Sequence, residues 1–134
     1  MSESDATDRG AARAIEPTGG PYLSFDLLQQ TEELRRESYW QSGRNSKTLV
    51  KYPDFRIVLN AIKKNTRIAE HHADGRISVQ TISGHIRMHA GGREFDLHPG
   101  QMLVLDRGMR HDVEALEDSA FLLTIAWPEN TRGV

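Results

Sequence analysis

The chain has 134 residues, no cysteine, and 17 basic against 19 acidic side chains, which gives a formal net charge of −2. This length fits a single domain, and the lack of cysteine excludes disulfides, thiolate metal sites and cysteine nucleophiles. The balanced charge gives no reason to expect a nucleic-acid or membrane partner. Because the sequence shows neither a membrane-length apolar run nor a basic-flanked leader, we expect a cytoplasmic protein.

Composition divides the chain into four segments. Residues 1–20 are rich in Ser, Asp, Ala, Arg and Gly, and we expect a disordered or loosely attached tail there. Residues 21–43 hold the helical segment, and residues 44–128 are expected to form a β-barrel. Residues 129–134 are expected to be a loose C-terminal end.

The helix is predicted over residues 24–38. Asp26 is the expected N-cap, and Gln29 is placed three residues later to reach back to it. A narrow apolar stripe favours a helix that lies on another surface rather than inside a core. The stripe consists of Leu27, Leu28 and Leu34.

Beyond this helix, short runs of alternating apolar and polar residues are separated by turns that contain glycine or proline. Such spacing predicts at least eight short strands, which is typical of an all-β sandwich or closed barrel. The predicted strands are 55–62, 67–71, 76–83, 85–90, 93–97, 102–106, 111–116 and 119–127.

Histidines are the main candidates for functional residues in this chain, because imidazole is the commonest metal ligand and titrates near neutral pH. The six are His71, His72, His85, His89, His98 and His111. His85 and His89 alternate with apolar residues, and we interpret their face as exposed to solvent. His98 precedes a Pro-Gly turn and is expected in a solvated loop. The other three lie in the most apolar strands.

The strand-rich region resembles the cupin family over about residues 47–127. The second cupin signature is G-x5-P-x-G-x2-H-x3-N, and both glycines and the histidine match it. Its positions are held by Gly100, Asp106, Gly108, His111 and Ala115. The resemblance implies an RmlC-like jelly-roll β-barrel of the small bacterial kind, and a homodimer. With the helix, the expected fold is therefore all-β with one N-terminal helix.

The first cupin signature, G-x5-H-x-H-x3,4-E-x6-G, is only partly present, and it leaves two registers open. Counting back from its last glycine places Ile77 at the acidic-ligand position. The three-residue spacer then puts His71 and Ala73 at the histidine positions. The four-residue spacer puts Glu70 and His72 there instead.

The candidate metal ligands are therefore His71, His72, Glu70 and His111. Strand alternation places His111 on the same face as apolar neighbours, so we expect it to point into the barrel. The register with Glu70 and His72 completes the two-imidazole, one-carboxylate set of a non-haem iron centre, whereas that with His71 supplies only two nitrogens. The candidate ions are Zn, Fe, Mn and Ni. The alternative is a buried histidine that only donates to a backbone carbonyl.

Three functions stay open at this point. The chain is a metal-dependent enzyme for a small organic molecule, a non-catalytic module that binds or senses such a molecule, or mainly an assembly protein. Four strand arginines are expected on solvated faces, although one turned inward could hold a carboxylate substrate. They are Arg56, Arg67, Arg76 and Arg87.

Overall fold

The computed structural model describes residues 21–128, and this part of the chain contains one α-helix, one 3₁₀ turn and nine strands. The helix α1 spans Leu27–Arg36, and the 3₁₀ turn spans Ser38–Ser42. The strands are β1 (Arg44–Tyr52), β2 (Phe55–Ile62), β3 (Arg67–His71), β4 (Arg76–Ser83), β5 (Ile86–Ala90), β6 (Arg93–Leu97), β7 (Met102–Leu105), β8 (His111–Ala115) and β9 (Ser119–Ala126). The predicted tail 1–20 and C-terminal end 129–134 lie outside the described residues.

These strands form two antiparallel sheets. The first sheet has the order β1-β2-β9-β4-β7, and the second has the order β3-β8-β5-β6. One buried cluster draws on both sheets, with Val58 and Leu123 from the first and Ile86 and Met88 from the second. The predicted all-β fold with one N-terminal helix is confirmed.

All the predicted strands occur with ends within one residue of the prediction, but β1 was not predicted as a strand. Its sequence hides the alternation for two reasons. The side chains of Ser46 and Thr48 are polar although both are buried. An extra residue then interrupts the pairing with β2 between Thr48 and Val50. Because a bulge shifts the two-residue period, apolar counting does not detect such a strand.

Helix α1 begins at the predicted N-cap, where Gln29 donates its backbone N–H to Asp26 Oδ1 at 3.1 Å. The reach-back of the Gln29 side chain was predicted wrongly, because its amide donates to Glu33 Oε2 at 3.5 Å. The apolar stripe was also partly wrong. Leu28 is 63% exposed, and Thr31 takes the buried position instead.

The helix covers the outer face of the first sheet, as its narrow stripe predicted. Leu34 of α1 lies in a second buried cluster together with Trp40, Leu49 and Leu59. The Asn45 side chain ties β1 to the helix by donating to the Leu34 carbonyl oxygen at 2.9 Å. Within residues 21–128, α1 is too short and too polar to be a membrane-spanning segment.

Two loops join the sheets at one end of the molecule, the loop 72–75 after β3 and the loop 106–110 after β7. They are bonded to each other, because Gly108 donates its N–H to the Ala73 carbonyl oxygen at 3.0 Å. A Cβ added at Gly75 would lie 2.5 Å from the Ala126 carbonyl oxygen, so this close approach requires glycine. The loops define the end of the barrel where the histidines of β3 and β8 meet.

Candidate functional site

The imidazoles of His71 and His111 lie against each other at this end of the barrel. His71 ends β3, His111 begins β8, and the two are directly paired across the second sheet. Their ring centroids are 4.4 Å apart, and the ring planes meet at 63° in an edge-to-face arrangement. His111 is only 2% exposed. It points inward beside the apolar side chains of its strand, as alternation predicted.

A β-bulge decides which residue of β3 accompanies His111. Ile68 pairs with Val113, but the next inward pair is His71 with His111, so β3 has one residue more than β8 over this stretch. Regular alternation from Ile68 would have turned Glu70 inward. The extra residue turns His71 inward instead and leaves Glu70 on the surface.

The Nδ1 atoms of both imidazoles are bonded to backbone carbonyls. His71 Nδ1 lies 2.7 Å from the Ala69 carbonyl oxygen, and His111 Nδ1 lies 3.0 Å from that of Met109. A carbonyl oxygen can only accept, so the ring hydrogen is on Nδ1 in both rings. In the neutral ring the lone pair is then on Nε2, so Nε2 is the ring atom with acceptor character.

The other two predicted ligands lie apart from this pair. Glu70 is exposed, and its Oε1 accepts from Arg110 Nε at 3.2 Å. His72 is exposed in the loop that follows β3. Of the four predicted ligands, the structure therefore brings together His71 and His111.

The residues at this end do not supply a three-ligand metal centre. Within residues 21–128, no group of three or more His, Asp or Glu side chains is placed to hold one ion. Ile77, at the acidic-ligand position of the first signature, is 3% exposed and belongs to the apolar core. Two imidazoles alone can hold a divalent ion only weakly. We therefore derive no metal-dependent reaction from this site.

A charged network covers the outer face of the second sheet, on the other side of β8. Asp112 is 5% exposed although it faces outward. It accepts hydrogen bonds from Arg67 Nη2 at 2.6 Å and from His89 Nδ1 at 2.7 Å. The other His89 ring nitrogen, Nε2, lies 3.4 Å from Glu94 Oε1. The sequence did not single out Asp112, because only the register of three strands brings these partners around it.

This network raises the pKa of His89 and lowers the pKa of Asp112. The hydrogen bond to Asp112 raises the pKa of His89 above its usual value, with a smaller contribution from Glu94. Burial alone would raise the pKa of Asp112, but the hydrogen bonds from His89 and Arg67 outweigh it and the net pKa is lowered. Both shifts favour the charged forms of His89 and Asp112 in the folded protein.

The two remaining histidines lie close together near the β6–β7 turn. The rings of His85 and His98 have centroids 4.1 Å apart. His98 is exposed in its turn, as predicted. His85 is on the outer face as predicted, but its side chain is only 18% exposed and its Nε2 lies 3.3 Å from Asp96 Oδ1.

Residues 57–127 match the family model of the AraC-like ligand binding domain. The match spans more than half of the chain. This chain belongs to the AraC-like ligand binding domain family. The coarse function that the family description gives is ligand binding.

Solved structures with this fold include an RmlC-like cupin from Desulfovibrio desulfuricans, with a TM-score of 0.67 and 22% identity over 79% of this chain and 97% of the other. A conserved protein of unknown function from Streptococcus pyogenes has a TM-score of 0.65 and 24% identity over 82% and 91% of the two chains. A cupin superfamily protein from Desulfitobacterium hafniense has a TM-score of 0.61 and 15% identity over 63% and 78%. No curated protein matches the chain significantly. The cupin jelly-roll fold predicted from the signature residues is confirmed.

Proposed function

We propose that this AraC-like ligand binding domain is a non-catalytic module that binds a small organic molecule at the His71–His111 end of the barrel. The observation that carries the proposal is the edge-to-face pair of imidazoles at 4.4 Å, set at the end of an apolar interior. Ligand sites of proteins are mostly apolar cavities in which a few placed polar groups fix the orientation of the ligand.

The position of the ring hydrogen in the two imidazoles favours a particular class of ligand. Because Nδ1 of each ring donates to a backbone carbonyl, Nε2 of a neutral ring is an acceptor. A small molecule that carries a hydroxyl or N–H group and an apolar body would match these acceptors and the surrounding aliphatic side chains. The family description as a ligand binding domain supports the same function.

A thermal-shift screen of small acids, phenols and sugars tests the proposal. We expect at least one class to raise the melting temperature of the wild type, and His71→Ala and His111→Ala to abolish that rise relative to each variant's own baseline. His98→Ala changes an exposed imidazole and is the matched control. The proposal is wrong if no compound raises the melting temperature, or if both inner variants respond like wild type.

A second candidate function is the weak binding of a divalent ion by the same two imidazoles, favoured by the Nδ1–carbonyl bonds of both rings. Elemental measurement on protein purified without an affinity tag tests it. The candidate predicts Zn, Fe, Mn or Ni at less than one ion per chain, and a further loss in His111→Ala. A metal content that His111→Ala leaves unchanged would end this candidate.

The homodimer and the cytoplasmic location stay predictions. The outer side of edge strand β7 supports the homodimer, because Met102 and Val104 are each 56% exposed there. We expect Val104→Lys to lower the mass in solution from two chains to one. If the wild type is already a single chain, the homodimer is wrong.

A further inference from the structure

A pocket of about 370 Å³ lies where the β1–β2 turn meets the end of β9. Its lining residues are Lys51, Tyr52, Pro53, Arg56 and Trp127. Among the lining residues that the structure describes, two side chains are cations, three present ring surfaces, and none is acidic. This volume lies within the range of small-molecule sites in proteins. The two cationic side chains in the lining favour a negatively charged ligand.

A β-bulge brings the two cations to the same face. The pairing of β1 with β2 shifts by one residue between Thr48 and Val50, and beyond the shift Lys51 pairs directly with Arg56. Regular alternation from Thr48 would have placed Lys51 on the opposite face. Arg56 lies on the inward side of β2, in the same row as the buried Val58. Bulges are over-represented beside sites where they redirect a side chain, and this one aligns two positive charges.

Trp127 provides an aromatic wall next to these cations. The Arg56 guanidinium carbon lies 5.4 Å from the centroid of the Trp127 ring. Trp127 packs against the core, and its backbone N–H donates to the Asp54 carbonyl oxygen at 3.1 Å, which fixes it to the β1–β2 turn. A guanidinium matches both oxygens of a carboxylate, a lysine adds a point charge, and an indole face stacks against a flat ring.

We propose that this pocket binds a small aromatic carboxylate, with the carboxylate held by Arg56 and Lys51 and the ring against Trp127. The site shares no residue with the His71–His111 pair, so it goes beyond the proposed function and can hold when that function fails.

Benzoate is the test ligand, and the two indole N–H resonances of the full-length protein are the readout. Trp40 is 8% exposed under the helix and outside the pocket, so it is an internal reference. We expect benzoate to move the Trp127 resonance saturably and to leave that of Trp40 in place. Benzamide keeps the ring and lacks the charge, and its affinity should be at least about tenfold lower than that of benzoate.

Variants identify the groups that bind the carboxylate. Arg56→Gln and Lys51→Gln should each weaken benzoate binding by about tenfold. Arg93→Gln is the matched control, because its guanidinium lies at the same 5.4 Å from the Phe95 ring but outside the pocket. It should leave the affinity unchanged.

Four results would overturn the proposal. They are a Trp127 resonance that benzoate does not move, equal binding of benzamide, an Arg93→Gln variant that loses as much affinity as Arg56→Gln, and wild-type affinity in Lys51→Gln. If His111→Ala abolishes benzoate binding while Arg56→Gln keeps it, benzoate occupies the His71–His111 site. This proposal then fails and the proposed function stands.

Discussion

His111 and Asp112 are neighbours on β8 that face opposite sides of the same sheet. They are buried to nearly the same degree, with 2% and 5% exposure. Their partners differ in kind, because His111 is bonded to the Met109 carbonyl and lies edge-to-face against another imidazole, whereas Asp112 is bonded to the side chains of Arg67 and His89. The inner side thus places a pair of imidazoles at the end of the apolar core, and the outer side carries an ionic network that stabilises the sheet.

The largest effect on stability is expected on the inner side. His111→Ala removes a fully buried ring and should lower the free energy of unfolding by about 2–4 kcal/mol, as large-to-small core substitutions do. Urea denaturation measures the loss. His98→Ala, which changes an exposed ring, should stay close to wild type, and an equal loss in both variants would contradict the different environments of the two histidines.

Asp112→Ala should come next, with a loss of about 1.5–3 kcal/mol, because it removes the hydrogen bonds that Arg67 and His89 donate to a buried carboxylate. The same urea denaturation applies. Asp106→Ala breaks an ion pair with Arg76 in which both side chains are mostly exposed, so its loss should be much smaller. If Asp106→Ala lowers the free energy of unfolding as much as Asp112→Ala, the network around Asp112 contributes no more stability than an exposed ion pair.

The pH dependence of stability should report on the outer network, which contains both His89 and Asp112. The pKa of His89 is raised from 6.5, so its contribution is complete below that pH and is lost as pH rises through the folded-state pKa. The pKa of Asp112 is lowered from 3.8, so its contribution is present above that pH and is lost as pH falls further. The stability difference between wild type and His89→Gln should therefore be larger near pH 5 than near pH 9. A difference that grows toward pH 9 would contradict the raised pKa.

The smallest effect is expected for Glu70→Gln. Glu70 is exposed and paired with Arg110 at the surface, so its loss should change stability by no more than about 0.5 kcal/mol. It should also leave the binding of any ligand at the His71–His111 end intact. If Glu70→Gln loses ligand binding as His111→Ala does, Glu70 contributes to the binding site and its surface placement is contradicted.

The sequence predicts the inner side of β8 better than its outer side. Alternation alone turns His111 inward, and the second cupin signature marks the same residue. Neither reveals the bulge that turns His71 inward in place of Glu70, because the extra residue becomes visible only through the pairing of β3 with β8. Asp112 looks like an ordinary outward acid in the sequence, since its two hydrogen-bond donors come from the neighbouring strands β3 and β5.

The most direct test of the binding site is a two-bond ¹H–¹⁵N spectrum of the histidine rings, recorded with and without a compound that raises the melting temperature. We expect His71 and His111 to be Nδ1-protonated, and their Nε2 resonances to move on addition of the compound while that of His98 does not. A spectrum in which the exposed rings move and the inner pair stays fixed would contradict a ligand site at this end of the barrel.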